Sequence, residues 1–397
     1  MEREAYLSEL DKWKELPFIK IVTGVRWCGK SALLESFGRR LLKSGVNPDQ
    51  IIEINLEDPD NQNLSDCGEL HRYILAHAVS PCKYYLFFDE IHHVRNFEKT
   101  IATLFLHENF DIYLTCSNNQ IISSELATLV SGRNVQIEVL PLSLKEFREA
   151  FPEKSPEELL ALYLSTTSFP FYLEVPGKTE FVDKVLEGIF STVIIKDILS
   201  SGKIREPLTL VKAAKVCCEF IGDRISIARV SKLMRSGGYQ PDNKTTEKYL
   251  RSLLDSFVLY EVHRWDIKEK RLLKNSVKYY AVDLGLVRTL LGSRSLADIG
   301  HLLENVVFLE LKRRGYKVFT GKLEEFEVDF VCTNGQEKIY IQVAASVRDE
   351  EVLHRELRPL LRIQDNFPKY LLTLDNDPKA SIDGVHKINA LDWLLSG

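Results

Sequence analysis

The sequence predicts a multidomain α/β protein, and three observations carry that expectation. At 397 residues the chain is longer than one hydrophobic core usually organises. Its first 150 residues hold short apolar, β-branched runs that pass into helical periodicity, the pattern of a parallel sheet covered by helices. Its last hundred residues return to strands after a mainly helical middle. The expected division is a parallel-sheet domain over 1–150, a helical lid over 151–205, a winged helix over 206–298 and a further α/β domain over 299–397.

Composition is that of an ordinary globular chain, 45% hydrophobic and 27% charged. No apolar run is long enough to span a bilayer, and the start, "MEREAYLSELDKW", lacks the apolar core of a signal peptide. A cytoplasmic protein without a membrane partner is expected. The seven cysteines, at 28, 67, 82, 116, 217, 218 and 332, show no paired spacing and read as reduced thiols. His92 and His93 are adjacent, so they do not share a face as metal ligands would.

The stretch "VTGVRWCGKSALLESF" places four residues between Gly24 and Gly29, followed by Lys30 and Ser31. Such a pattern arises by chance in a chain of this length about one time in a hundred, so its setting matters. A strand, "PFIKIVT", precedes it, and Ala32, Leu33, Leu34, Phe37, Leu41 and Leu42 follow at helical spacing. A glycine loop between strand and helix gathers backbone N–H groups and the positive end of the helix dipole around phosphates. Residues 24–26 (Gly24, Val25, Arg26) and 28–32 (Cys28, Gly29, Lys30, Ser31, Ala32) are the expected nucleotide contacts, with Lys30 on the β- and γ-phosphates and the Ser31 hydroxyl on Mg2+.

About sixty residues on, "KYYLFFDEIHHV" runs a buried strand into Asp89 and Glu90, at the carboxyl end where open α/β sheets bind ligands. Asp89 is placed to hold Mg2+ and Glu90 to polarise the attacking water. A third strand, "FDIYLTCSNN", ends in Ser117 and Asn118, of which Asn118 is the stronger candidate to contact the γ-phosphate or orient water. Arg133, after Ser131 and Gly132, is the candidate to reach a neighbouring subunit's γ-phosphate, which implies a homo-oligomer.

In this order, "VTGVRWCGKS", "YYLFFDEI", "LTCSN", "SGR" and "PLSLKEF" resemble the prokaryotic AAA-type ATPases that carry a C-terminal domain of unknown function. "VKYYAVDLGL", "HLLENVVFLELKRRGYKVF" and "YIQVA" extend the resemblance over nearly the whole chain. It implies an AAA+-like P-loop module with ATP and Mg2+ at the residues above; adenine rests on the resemblance alone. Cys116 stands where relatives commonly have glycine before the Ser-Asn pair.

Charge is uneven: residues 203–278 carry 17 Lys and Arg against 9 Asp and Glu, while the whole chain is at -5. Within that stretch "LTLVKAAKVCCEFIG", "SIARVSKLMRSGG" and "NKTTEKYLRSLLDSF" read as three helices, the second stopped at Gly237 and Gly238 and the third capped by Asn243 or Thr245. Two strands around a charged turn come next, which completes a winged helix. Lys244, Lys248 and Arg251 on the third helix, with Lys268, Lys270 and Arg271 on the wing, are the candidate DNA-phosphate contacts. A winged helix serving protein contacts is the other reading.

Over 299–397, a helix bearing Glu304, a strand bearing Asp329 and the strand "KIYIQVAAS" match the arrangement of PD-(D/E)xK nucleases, a restriction-endonuclease-like fold. Gln342 and Ala344 stand where the glutamate and lysine of that motif would be. The frame is retained and the chemistry is not, unless a lysine arrives from elsewhere, such as Lys312. The combined expectation is an ATP-hydrolysing protein that couples nucleotide state to DNA or partner binding. A nucleotide-gated binding module with little turnover, or a divergent Mg2+-dependent nuclease, are the alternatives.

Overall fold

The computed structural model describes all residues except 1, 80, 120–127, 129, 131, 200–203, 205, 293–297, 378, 379 and 397. It divides into two compact units, residues 1–139 with 255–257, and residues 140–254 with 258–397.

In the first unit, strands β1 (Ile19–Thr23), β2 (Ile51–Asn55), β3 (Tyr84–Asp89), β4 (Phe110–Cys116) and β5 (Asn134–Glu138) form a sheet in the order β2-β3-β4-β1-β5. Every pairing in it is parallel. Strands covered on both faces must be apolar on both, and β1 and β4 are buried at every position. Ile19, Ile21, Leu86, Phe88, Ile112 and Leu114 point to one face, where they pack with Leu70, Ile74, Phe97 and Ile101 of two helices. On the other face Phe37, from helix Lys30–Lys43, meets Phe87 and Tyr113 with ring centroids 6.3 and 5.3 Å away.

Two charged positions break this apolar pattern. Lys20, fully buried in β1, forms an ion pair with Asp111 of β4. The Tyr113 hydroxyl (2.8 Å) and the Glu15 backbone N–H (2.9 Å) donate to the other oxygen of the same carboxylate. Burying both ions is tolerable because each is paired and the carboxylate's remaining lone pairs are satisfied.

The second unit opens with helices Leu144–Ala150 and Pro156–Ser165, each started by a capping box, Ser143 with Glu146 and Ser155 with Glu158. Helix Thr179–Thr192 continues as a π-helical turn over Val193–Ile198. Buried Asp283 joins the segment around Ser168 to helix Leu284–Leu291. It caps that helix through the Leu286 N–H and accepts from both the N–H and the hydroxyl of Ser168 at 2.7 Å.

Helix Pro207–Glu219 is followed by strand β6 (Arg224–Ile225), then by helices Ile227–Ser236 and Asn243–Asp255, and then by strands β7 (Leu259–Asp266) and β8 (Arg271–Ala281). Gly237 and Gly238 end the second helix as expected, Gly238 with φ 87°. The third helix is capped one residue before the expected Asn243, because the Asp242 carboxylate accepts from the Thr245 N–H at 2.7 Å. Helix Ile299–Arg313 precedes β9 (Lys317–Leu323), β10 (Phe326–Asn334) and β11 (Glu337–Ala344). Helix Glu350–Leu361 leads to β12 (Lys369–Thr373), β13 (Ala380–Ile382) and β14 (Val385–Asn389).

These strands form one sheet in the order β13-β14-β12-β11-β10-β9-β7-β8-β6. The link is a short parallel pairing of Arg264, Trp265 and Asp266 with Thr320, Gly321 and Lys322. The segments before and after residue 298, expected from the sequence to be separate domains, thus share a sheet. No local periodicity can reveal this, because the pairing is long-range.

Candidate nucleotide-binding site

The loop after β1 is fixed by its glycines. Gly24 has φ 143°, and a Cβ there would lie 2.2 Å from the Val139 carbonyl oxygen, so no larger residue fits. Gly29, with φ 99°, turns the chain into helix Lys30–Lys43, whose N-terminus carries no side-chain cap. Arg26 of the loop donates to both carboxylate oxygens of Glu57, at 3.0 and 3.2 Å. Val25 and Cys28 are buried, whereas Ala32 is exposed on the first helical turn. Trp27, not singled out from the sequence, holds φ 67° and is 58% exposed at the crest.

The parallel register brings the ends of β3 and β4 beside this loop. Ser31 Oγ donates to Asp89 Oδ2 at 2.7 Å, so the two expected Mg2+ ligands are already adjacent. Lys30 is folded inward and only 4% exposed. Its Nζ donates to the Gly24 carbonyl at 3.1 Å and lies 3.3 Å from Glu90 Oε1. Glu90, held at φ 50°, accepts on Oε2 from the Ser117 N–H at 3.1 Å.

Two residues that sequence reasoning missed complete the arrangement. Thr115 Oγ1 donates to Asp89 Oδ1 at 2.5 Å and accepts the Glu90 N–H at 2.7 Å, fixing both acids. It stands two residues before the Ser-Asn pair, and only its pairing with Val22 of β1 brings it beside the acids. His92 Nδ1 lies 3.2 Å from Glu90 Oε2, with Cys116 Sγ 3.8 Å from the same nitrogen. Weighing the two histidines only as metal ligands, and setting them aside as such, left this contact unseen. Asn118 is buried, and its backbone carbonyl accepts from Cys116 Sγ at 3.3 Å. Arg133 is exposed just before β5, its guanidinium 5.5 Å from the Phe105 ring centroid.

Electrostatics are set by burial and these pairs. Burial opposes ionisation of Glu90, yet Lys30, His92 and Arg26 hold its carboxyl well below the usual range. Burial raises the Asp89 carboxyl, against the hydrogen bonds from Thr115 and Ser31. For His92, burial lowers proton affinity, but contact with Cys116 and Glu90 raises it to about 10. A group raised in the folded state stabilises fully below its unfolded value, about 6.5 for histidine, and loses that contribution as pH rises through the folded one. His92→Gln is therefore expected to lower Tm most below pH 6.5, with the gap to wild type closing as pH approaches 10. A gap constant over that range in thermal melts would refute the pairing.

The oxygen donors Ser31 and Asp89 suit Mg2+, which commonly takes one or two protein oxygens together with substrate phosphates. Among the described residues no group of three His, Cys, Asp or Glu is arranged to hold a metal ion.

A family model described as an AAA domain matches residues 17–148. An uncharacterized protein of Haemophilus influenzae is 34% identical over 398 residues, covering 100% of this chain and 98% of that protein. The chain belongs to the same family as that protein, and carries a P-loop AAA-type domain over residues 17–148. Beyond the AAA domain, a model described as a domain of unknown function (DUF8612) matches residues 157–297. An uncharacterized protein of Methanocaldococcus jannaschii is 28% identical over 351 residues, 83% of this chain and 75% of that one. Among solved structures, a Walker-type ATPase of Pyrococcus abyssi shares the fold with a TM-score of 0.51 at 14% identity, over 73% of this chain and 95% of that chain. Among the described residues no helix is long and apolar enough to cross a membrane.

The other sequence-designated residues lie in the second unit. Lys244, Lys248 and Arg251 are exposed on helix Asn243–Asp255. Lys268 pairs with Glu324 at 3.3 Å and Arg271 with Glu269 at 2.5 Å, while Lys270 is exposed at the turn between them with φ 52°. Glu304, Asp329 and Gln342 come together, but Lys312 does not join them: its ammonium lies 4.7 Å from the Tyr260 ring centroid.

Proposed function

We propose that the AAA domain binds Mg2+ATP and hydrolyses it, and that its nucleotide state governs binding of DNA or a protein partner by the second unit. The observation that carries the reading is the convergence of Lys30, Ser31, Asp89 and Glu90 at the carboxyl ends of β1 and β3. Lys30 and the loop N–H groups bind the phosphates, Ser31 and Asp89 hold Mg2+, and Glu90 takes the proton of the attacking water. Mg2+ supplies charge neutralisation on the phosphates. Lys30 and Glu90 are paired to one another, so phosphate binding must draw Lys30 away, which frees the Glu90 carboxylate for water. Arg133, exposed beside β5, is the residue we assign to a neighbouring subunit's γ-phosphate in a homo-oligomer.

The order of helices and strands over 207–281 supports a winged helix, with Lys244, Lys248 and Arg251 toward DNA phosphates. Of the wing residues, Lys268 and Arg271 already face acids, so the helix supplies the main contact. A specific observation favours a second reading. A groove of about 800 Å³ runs between this helix and the wing, lined mainly by apolar residues such as Ile225, Ile227, Leu272 and Val277, with Glu247, Glu261 and Lys244 at its walls. Apolar walls bearing carboxylates suit a polypeptide better than a phosphate backbone.

Steady-state phosphate release with Mg2+ATP, with and without duplex DNA, tests both. Turnover abolished by Lys30→Ala and stimulated by DNA, with the stimulation lost in Lys248→Glu/Arg251→Glu and falling steeply with salt, is the expected result. Turnover indifferent to DNA selects the protein partner, and no turnover at all refutes the ATPase reading.

A further inference from the structure

The second unit buries a lysine among carboxylates. Lys278 of β8 is 4% exposed. Its Nζ lies 2.8 Å from Glu304 Oε1 on helix Ile299–Arg313, 3.0 Å from Glu327 Oε1 and 3.8 Å from Asp329 Oδ1, both on β10. Strand geometry explains the convergence. Residues two apart share a face, so Lys278 and Tyr280 of β8, and Glu327 and Asp329 of β10, all turn toward the helix that carries Glu304. The Tyr280 hydroxyl donates to Glu304 Oε1 at 2.5 Å.

Resemblance of 299–397 to PD-(D/E)xK nucleases implies Mg2+ on these carboxylates, and the residues do not fit it. Gln342 is committed on both sides: its Oε1 accepts the Asp329 N–H at 3.2 Å and its Nε2 donates to Glu356 Oε2 at 2.8 Å. Asp329 Oδ2 accepts the Val343 N–H at 2.9 Å. Glu304 Oε1, Glu327 Oε1 and Asp329 Oδ1 face the Lys278 ammonium, and Glu327 Oε2 lies 2.8 Å from Arg224 Nε. A fixed positive charge within 4 Å of all three repels any second cation placed among them.

We propose that the Lys278 ammonium takes the place of a divalent cation among Glu304, Glu327 and Asp329, so that this cluster is a metal site permanently closed by the chain's own cation. Burial opposes charge on Lys278, but Glu304, Asp329 and Glu327 raise its proton affinity, so the ammonium persists. The lysine comes from the strand before the helix and lies 26 residues ahead of Glu304, outside the segment that carries the nuclease-like pattern. The domain is therefore built around an internal ion cluster that joins β8 and β10 to helix Ile299–Arg313.

The test is Mn2+ binding read by electron paramagnetic resonance on nucleotide-free protein. An Asp89→Ala background removes the contribution of the AAA domain. No saturable binding is expected in that background. Adding Lys278→Met, which keeps the bulk and removes the charge, or Lys278→Ala, should create a site for about one ion per chain. A further Asp329→Asn change should abolish that site. Folded Lys278 variants that bind no Mn2+ would overturn the proposal. So would saturable binding in the Asp89→Ala background that Asp329→Asn removes, and this second measurement decides the matter if neither lysine variant folds.

Discussion

Glu90→Gln is expected to lower steady-state phosphate release by about 10²- to 10⁴-fold, the range a positioned general base contributes. The same change should tighten nucleotide binding. Lys30 Nζ now lies 3.3 Å from Glu90 Oε1, and phosphate must compete with that carboxylate for the ammonium. A glutamine keeps the size of the side chain and an oxygen to accept the Ser117 N–H, but leaves Lys30 without an anionic partner. Equilibrium binding of a fluorescent ATP analogue, measured beside single-turnover hydrolysis, separates the two effects. Weaker binding in Glu90→Gln would mean that the carboxylate supports the loop rather than competing with phosphate. Unchanged turnover would remove Glu90 from the chemistry altogether.

Lys20→Met is expected to produce the largest loss of stability. It leaves Asp111 charged, buried and facing only the Tyr113 hydroxyl and the Glu15 N–H. Removing one partner of a buried pair costs about 3–5 kcal/mol, which corresponds to a fall in Tm on the order of 10 °C. The double change Lys20→Met/Asp111→Asn should recover most of it, because asparagine still accepts from Tyr113 but carries no charge. Thermal melts of the wild type, both single variants and the double variant close the cycle. If the double variant is no more stable than Lys20→Met, the loss comes from packing in β1 and not from the stranded charge.

Legibility in the sequence tracked the range of each interaction. The loop at 24–31 was readable because glycine spacing and flanking periodicity are local, and Asp89 and Glu90 because a buried strand ending in acids needs no knowledge of its neighbours. Thr115 was not readable. Its place beside Asp89 comes from the parallel register of β4 between β1 and β3. His92 escaped for a related reason: Glu90 at φ 50° turns the chain so that the ring returns to its own carboxylate.

By itself the sequence determined an α/β chain with a glycine loop between strand and helix, a buried strand ending in two acids and a basic middle segment, since each depends on residues close together in the chain. Tertiary structure alone decided that Lys30 and Glu90 neutralise one another. It also decided that the strands before and after residue 298 form one sheet, and that Lys278 fills the carboxylate cluster around Glu304. Those outcomes are set by the pairing of strands distant in sequence and by the cost of leaving buried charge uncompensated. Neither has a period or a spacing that a linear reading can detect.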